Sequence, residues 1–289
     1  MKQFLSCVLG AIFAAGAACA ADAPPAPNAW RAVDPQNLVL IDTKYGEVAV
    51  ELAPQFAPNH VERMRALIHA HFFDGLSFYR VIDGFVAQGG SNLDSDPKWP
   101  TLKAEFDRPT GTETFTPLGS RDLFADQVGY VDGFPVGRDK KEKREWIVHC
   151  PGTFAFARDN KPDTASTEFY IVIGEAPRRL DRNLTAFGRV IDGMQYLQKL
   201  QRGDPTVDNG VIADAAKRDT ILSMKLASDL PVTERPLYEV MRTDSIAFAA
   251  IRDRKKNLAP DFGVRKTNAL DICVAAVPAH KVVPEPAKP

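Results

Sequence analysis

The chain has 289 residues, 45% hydrophobic and 25% charged, and its 36 Lys and Arg nearly balance its 37 Asp and Glu. That composition is close to the globular average and excludes a disordered, collagen-like or strongly basic nucleic-acid-coating chain. The length supports one or two domains with a real core, without a disulfide scaffold or metal staple, and the near-neutral balance supplies no large field toward phosphate backbones or anionic membranes.

After Met1-Lys2-Gln3 an apolar run covers residues 4–18 and ends at Ala18-Cys19-Ala20. It reads as a secretory signal peptide cleaved near Ala21, since about 15 apolar residues fall short of the ~20 that span a bilayer. A lipoprotein is the alternative suggested by Cys19, although Gly16 stands where such a signal usually has Leu. The expected destination is the periplasm or the exterior. Cleavage leaves Cys150 and Cys273. Export permits a disulfide without requiring one, and the two read as unpaired thiols, because pairing needs Cα atoms within about 7 Å.

Residues 21–37, rich in Ala, Pro and Asn, read as an extended leader, with folding beginning near Leu38. Residues 38–43 and 46–52 flank Lys44-Tyr45 as a β-hairpin, the second run alternating apolar with polar. Pro58 opens an amphipathic helix of about three turns with Val61, Met64, Leu67 and Ile68 on one face, ending before Asp74-Gly75. Strands follow at 76–82 and 85–88, separated by Asp83-Gly84. The Gly-, Pro- and charge-rich stretch between Phe106 and Trp146, including the mixed-charge run 138–145, reads as a solvated loop. Strands return at 153–157, 168–173 and 185–190, then a short helix at 192–201 and a strand at 220–226. Many short strands with two or three helices argue for a mainly β protein, a closed or nearly closed antiparallel barrel. A Pro-rich turn at 231–236 leads into a C-terminal extension, 231–289, with a helix through Tyr238 and Ile251 that covers the barrel or its mouth. An apolar strand at 269–277 and a disordered tail at 282–289 complete it.

The chemistry concentrates in Phe78-Tyr79-Arg80-Val81-Ile82-Asp83-Gly84-Phe85-Val86-Ala87-Gln88-Gly89-Gly90. One cation sits on a strand among apolar residues with an uncharged amide eight positions on, and no nucleophile is paired with a base. Alone, such an Arg is ordinarily an ion-pair partner. His69 and His71, two apart on a helix, share no face and suggest no metal site.

The run resembles the cyclophilin signature, Phe-His-Arg-x-Ile-x-Gly-Phe-x-x-Gln-Gly-Gly, with Tyr79 replacing the usual His. The similarity continues through residues 57–63, 152–158, 167–171 and 180–190 and covers most of residues 38–226. It implies an eight-stranded antiparallel barrel capped by two helices within a domain at 38–230, and peptidyl-prolyl cis/trans isomerase activity that needs no cofactor. It further implies Arg80, Phe85 and Gln88 as catalytic residues. Val86, Tyr170 and Leu180 join Phe85 around the proline ring, Ala157 and Arg158 hold the preceding backbone, and Leu184 stands at a substrate-facing position where many members carry His. Glu168 stands for Gln, Tyr170 for Phe and Arg179 for Trp, which implies altered substrate preference and weaker cyclosporin binding. Residues 107–144 look inserted relative to compact relatives, a place for regulating access or binding partners. Strict strand alternation separates Phe85 from Val86 and Gln88, unless the chain bends at Asp83-Gly84.

The expected partners are proline-containing polypeptides, in unfolded or flexible envelope proteins, with no nucleic acid, no integral membrane span and a monomeric chain. The alternatives are a cyclophilin-like chaperone or scaffold that grips proline segments with little turnover, and a structural envelope protein reusing the barrel.

Overall fold

Among the described residues the chain forms seventeen strands and three α-helices. The computed structural model describes residues 29–92 and 96–283. The expected signal peptide at 1–20, leader residues 21–28 and tail residues 284–289 lie outside the described residues. In chain order the strands are β1 (Trp30–Ala32), β2 (Leu38–Thr43), β3 (Gly46–Leu52), β4 (Ser77–Val81), β5 (Val86–Gly90), β6 (Arg108–Pro109), β7 (Phe115–Pro117), β8 (Gln127–Val131) and β9 (Phe134–Asp139). They continue with β10 (Arg144–Ile147), β11 (Thr153–Phe156), β12 (Phe169–Val172), β13 (Ala186–Asp192), β14 (Asp219–Thr220), β15 (Ser223–Leu226), β16 (Tyr238–Met241) and β17 (Ala279–Lys281). The helices are α1 (Pro58–His69), α2 (Met194–Leu197) and α3 (Ile246–Lys255).

The main sheet has nine strands in the order β14-β4-β5-β12-β11-β13-β3-β2-β15, every pairing antiparallel. It curls around a core to which β2 gives Val39 and Ile41, β12 gives Phe169 and Ile171, and α1 gives Val61, Met64, Leu67 and Ile68. Pro58 starts α1, where the missing N–H costs nothing and the fixed φ suits the first turn. The second helix is shorter than expected, a single turn in place of 192–201.

Residues 106–146 are not a solvated loop. They form a second sheet, β6-β10-β9-β8-β7. Only residues 140–143 of the charged run are exposed. Glu145 is wholly buried, with its carboxylate 2.7 Å from Arg108 and 2.8 Å from Arg138. A charge reads as solvated until a partner replaces water, and this one has two. The glycines have a reason as well: a Cβ on Gly137 would lie 2.7 Å from the Trp146 ring, and one on Gly129 would lie 2.6 Å from Phe115. Aromatic rings occupy the space that side chains would take, so these strands lack the expected apolar alternation.

The leader is also packed from Ala29 onward. Trp30 pairs with Met241 and Ala32 with Glu239, so β1 joins β16 and β17 in a third sheet that unites both ends of the described chain. The single helix expected through Tyr238 and Ile251 is therefore a strand, β16, followed by α3, whose N-terminus is capped by the Ser245 hydroxyl accepting from Phe248 N–H. Residues 269–277 form turns instead of a strand, and they bring Cys273 to Cys150. The two cysteines form a disulfide with Cα atoms 5.0 Å apart, correcting the reading of unpaired thiols. Leu38, Leu40, Val128, Tyr130, Val240, Phe248 and Ile272 make a second core between the main sheet and this extension. No described helix is long and apolar enough to cross a membrane.

Candidate active site

Three neighbouring strands place the central polar residues in one row. Arg80 on β4 is opposite Gln88 on β5, which is opposite Tyr170 on β12. Cross-strand partners share a face, so these side chains point away from the core that Val81, Ala87 and Ile171 enter. Phe85 escapes the alternation problem because β5 begins at Val86. It belongs to the turn at Asp83-Gly84, where Gly84 takes φ 67° and Gly174 approaches so closely that a Cβ on Gly174 would lie 2.0 Å from the Gly84 backbone.

All nine residues expected from the sequence, Arg80, Phe85, Val86, Gln88, Ala157, Arg158, Tyr170, Leu180 and Leu184, line one cleft of about 720 Å³. Its apolar end is formed by Phe85, Val86, Tyr170, Leu180 and Leu184, which pack with Val131, Phe134, Val136 and Ile147 of the inserted sheet. The insertion thus backs the pocket wall. At the polar end, Arg80 Nε donates to the Asn209 carbonyl at 2.8 Å and Nη1 to Gln88 Oε1 at 3.0 Å, while Gln88 Nε2 donates to the Tyr79 hydroxyl. Among the described residues no acceptor takes Arg80 Nη2. Burial draws the Arg80 guanidinium below its ordinary range, and burial, then the neighbouring Glu168, pushes the Tyr79 phenol well above its own. Glu168 is itself raised by burial; Oε1 accepts from Ser91 N–H and Oγ, both at 2.9 Å, and Oε2 is buried without a hydrogen-bond partner.

The Ala157 N–H bonds the Glu168 carbonyl at 2.7 Å, and the Arg158 side chain donates to Asn183 and Asp159 carbonyls, leaving the 157–158 backbone along the cleft. Arg179 is exposed at the rim, its guanidinium 5.3 Å from the Phe85 ring centre. Sequence reasoning missed Asn209, whose carbonyl is 129 residues from Arg80 and comes from a left-handed residue in a loop with no motif. It also missed Tyr79 as the partner of Gln88, although the departure from His at that position was the available signal.

The cleft thus combines a guanidinium fixed by two acceptors with an apolar pocket on a curled antiparallel sheet. A family model described as cyclophilin type peptidyl-prolyl cis-trans isomerase/CLD matches residues 38–226. The chain belongs to this family and is a cyclophilin-type peptidyl-prolyl cis-trans isomerase. It is 30% identical over 186 residues to a probable peptidyl-prolyl cis-trans isomerase of Brucella suis, covering 64% of this chain and 82% of that one. It is 26% identical over 164 residues to the mouse peptidyl-prolyl cis-trans isomerase-like 3, covering 57% and 81%. Among solved structures it is similar to the cyclophilin AquaCyp293 from Hirschia baltica, with a TM-score of 0.72 and 30% identity over 89% of this chain and 95% of that one. That coverage reaches well beyond the family segment.

Proposed function

We propose that the enzyme is exported and accelerates X-Pro rotation in unfolded or flexible envelope proteins, with Arg80 as the group that favours the twisted state. The observation that carries the mechanism is the fixed Arg80 fork: Nε and Nη1 are held by Asn209 and Gln88 while Nη2 faces no protein acceptor among the described residues. The rotation barrier is about 18–20 kcal/mol because the prolyl nitrogen lone pair conjugates with the carbonyl. At the twisted geometry conjugation is lost and that nitrogen accepts a hydrogen bond it takes poorly when planar. A donor held there binds the transition state better than either ground state. Phe85, Val86, Tyr170, Leu180 and Leu184 hold the proline ring, the second hydrogen of Gln88 Nε2 serves the substrate backbone, and Ala157 and Arg158 align the preceding residues.

Export is supported by the apolar run with its Ala-Cys-Ala end and by the Cys150–Cys273 bond, which oxidising compartments sustain. Closure of the main sheet into a barrel is supported by segment 219–226, whose halves β14 and β15 pair with β4 and β2. A second reading, a chaperone that grips proline segments, draws support from Leu123 and Phe124 on the inserted segment, 96% and 52% exposed.

The test is exchange NMR on an X-Pro peptide with mature protein, Arg80→Ala and Arg80→Lys. Both variants are expected to lose about ten- to hundredfold in kcat/KM, since Lys offers a flexible point charge in place of the planar fork that Asn209 and Gln88 hold. Wild-type rates in either remove Arg80 from the mechanism. Retained peptide binding with no Arg80-dependent turnover in the wild type favours the chaperone.

A further inference from the structure

Behind the proline pocket lies a chain of buried polar groups that the isomerisation itself does not use. The Tyr170 hydroxyl is 2.9 Å from His149 Nε2, and His149 Nδ1 is 3.1 Å from Asp181 Oδ1. Asp181 Oδ1 also accepts from the His149 backbone N–H at 2.9 Å, and Oδ2 accepts from Arg178 Nε at 2.7 Å. Arg178 in turn forks onto Asp122 of the inserted segment at 2.7 and 2.9 Å. His149 is 0% exposed, Tyr170 3%, Arg178 7% and Asp181 9%.

The hydrogen positions follow from the chemistry of the acceptors. Burial opposes ionisation of Asp181, but its bonds from His149 and the charge of Arg178 prevail and hold it below the usual carboxylate range. An ionised carboxylate only accepts, so the Nδ1 that faces Asp181 carries a hydrogen, and in the neutral ring Nε2 is then the lone pair that meets the Tyr170 O–H. Two walls of the pocket meet on this carboxylate. Tyr170 reaches it through His149, and Leu180 is its chain neighbour in a turn closed by the Asp181 N–H to the Arg178 carbonyl. The family's usual Phe has no hydroxyl with which to answer such a histidine, so Tyr170 and His149 form a matched pair.

We propose that His149 is a positioning residue of the isomerase, held by Asp181 in one tautomer so that it anchors the Tyr170 ring as the wall against which the substrate proline packs. The proposal rests on the assignment of this cleft as the proline site. The anchor acts on how the ring is gripped, whereas Arg80 acts on the twisted bond, so the two separate kinetically.

The experiment compares wild type, His149→Leu, Tyr170→Phe and the double variant in the full mature protein, with KM and kcat for an Ala-Pro peptide from exchange NMR and folding checked by near-UV circular dichroism. His149→Leu leaves a buried hydroxyl unanswered. Its KM is expected to rise about five- to tenfold with kcat within about twofold. The double variant removes both partners and is expected to match Tyr170→Phe alone. An unchanged KM in folded His149→Leu, or a double variant whose effect is the product of the two singles, overturns the proposal. Should His149→Leu not fold, ¹⁵N spectra of the wild-type imidazole decide: a hydrogen on Nδ1 with a bare Nε2 supports the anchor, and an Nε2–H tautomer overturns it. Failure of the site assignment gives a different signature, wild-type turnover in Arg80→Ala.

Discussion

Glu168 shows how one departure from the family pattern changes the physics of a site without touching its chemistry. Its carboxyl is buried beside Tyr79, one oxygen served by Ser91 and the other unpartnered, and burial raises its pKa. The native state therefore holds this proton more tightly than the unfolded chain. Stability is full below the usual Glu value of about 4.3 and falls as pH rises through the elevated native one. Glu168→Gln keeps an acceptor for Ser91 and removes the ionisation. It is expected to melt a few degrees higher than wild type at pH 7, with the gain vanishing at pH 4. Equal differences at both pH values, or a less stable variant at pH 7, contradict this account of the carboxyl. The same residue marks the limit of what was legible here. The motif named Arg80, Phe85 and Gln88, and the structure brings all nine expected residues to one cleft. Of the partners that fix them, Tyr79 stands inside the motif as its departure from His, whereas Asn209 and His149 come from distant segments with no motif of their own.

At the scale of elements, legibility followed the environment of each face. The β2–β3 hairpin and α1 were readable because one face meets the core in the period of its own geometry. The unbroken apolar run at 38–41 carried a further signal: Val39 and Ile41 enter one core, Leu38 and Leu40 the other, as in strands covered on both faces. The inserted sheet was illegible because its glycines sit under rings and its charges are paired inside. Glu145 holds β10 to both Arg108 and Arg138, and truncating one member of a buried ionic cluster strands the rest. Glu145→Ala is expected to cost about 3–5 kcal/mol in urea unfolding and to weaken the backing of the cleft's apolar end. A loss below about 1 kcal/mol places the cluster among solvent-screened pairs.

For the whole molecule, the family fold explains only part of the buried surface. A second core joins the main sheet to the C-terminal extension, and the Cys150–Cys273 bond crosses the same boundary with a separation of 123 residues. A link across so long a loop restricts the unfolded chain strongly, typically stabilising by about 2–4 kcal/mol. Cys273→Ser, studied oxidised alongside wild type, is expected to lower the unfolding free energy by that amount and to expose residues 270–277 to protease before the main sheet. Identical stability and identical cleavage order assign the attachment of the extension to its apolar packing alone.

The pairing of β1 with β16 also sets an order of events during synthesis. Trp30 leaves the ribosome early, yet its partner Met241 is added only after every strand of the main sheet has been made. Until then the outer face of the first hairpin, Leu38 and Leu40, has no extension to cover it. This isomerase thus passes through a vectorial interval with a sticky surface bare, and the last sheet to assemble is the one that ties its beginning to its end.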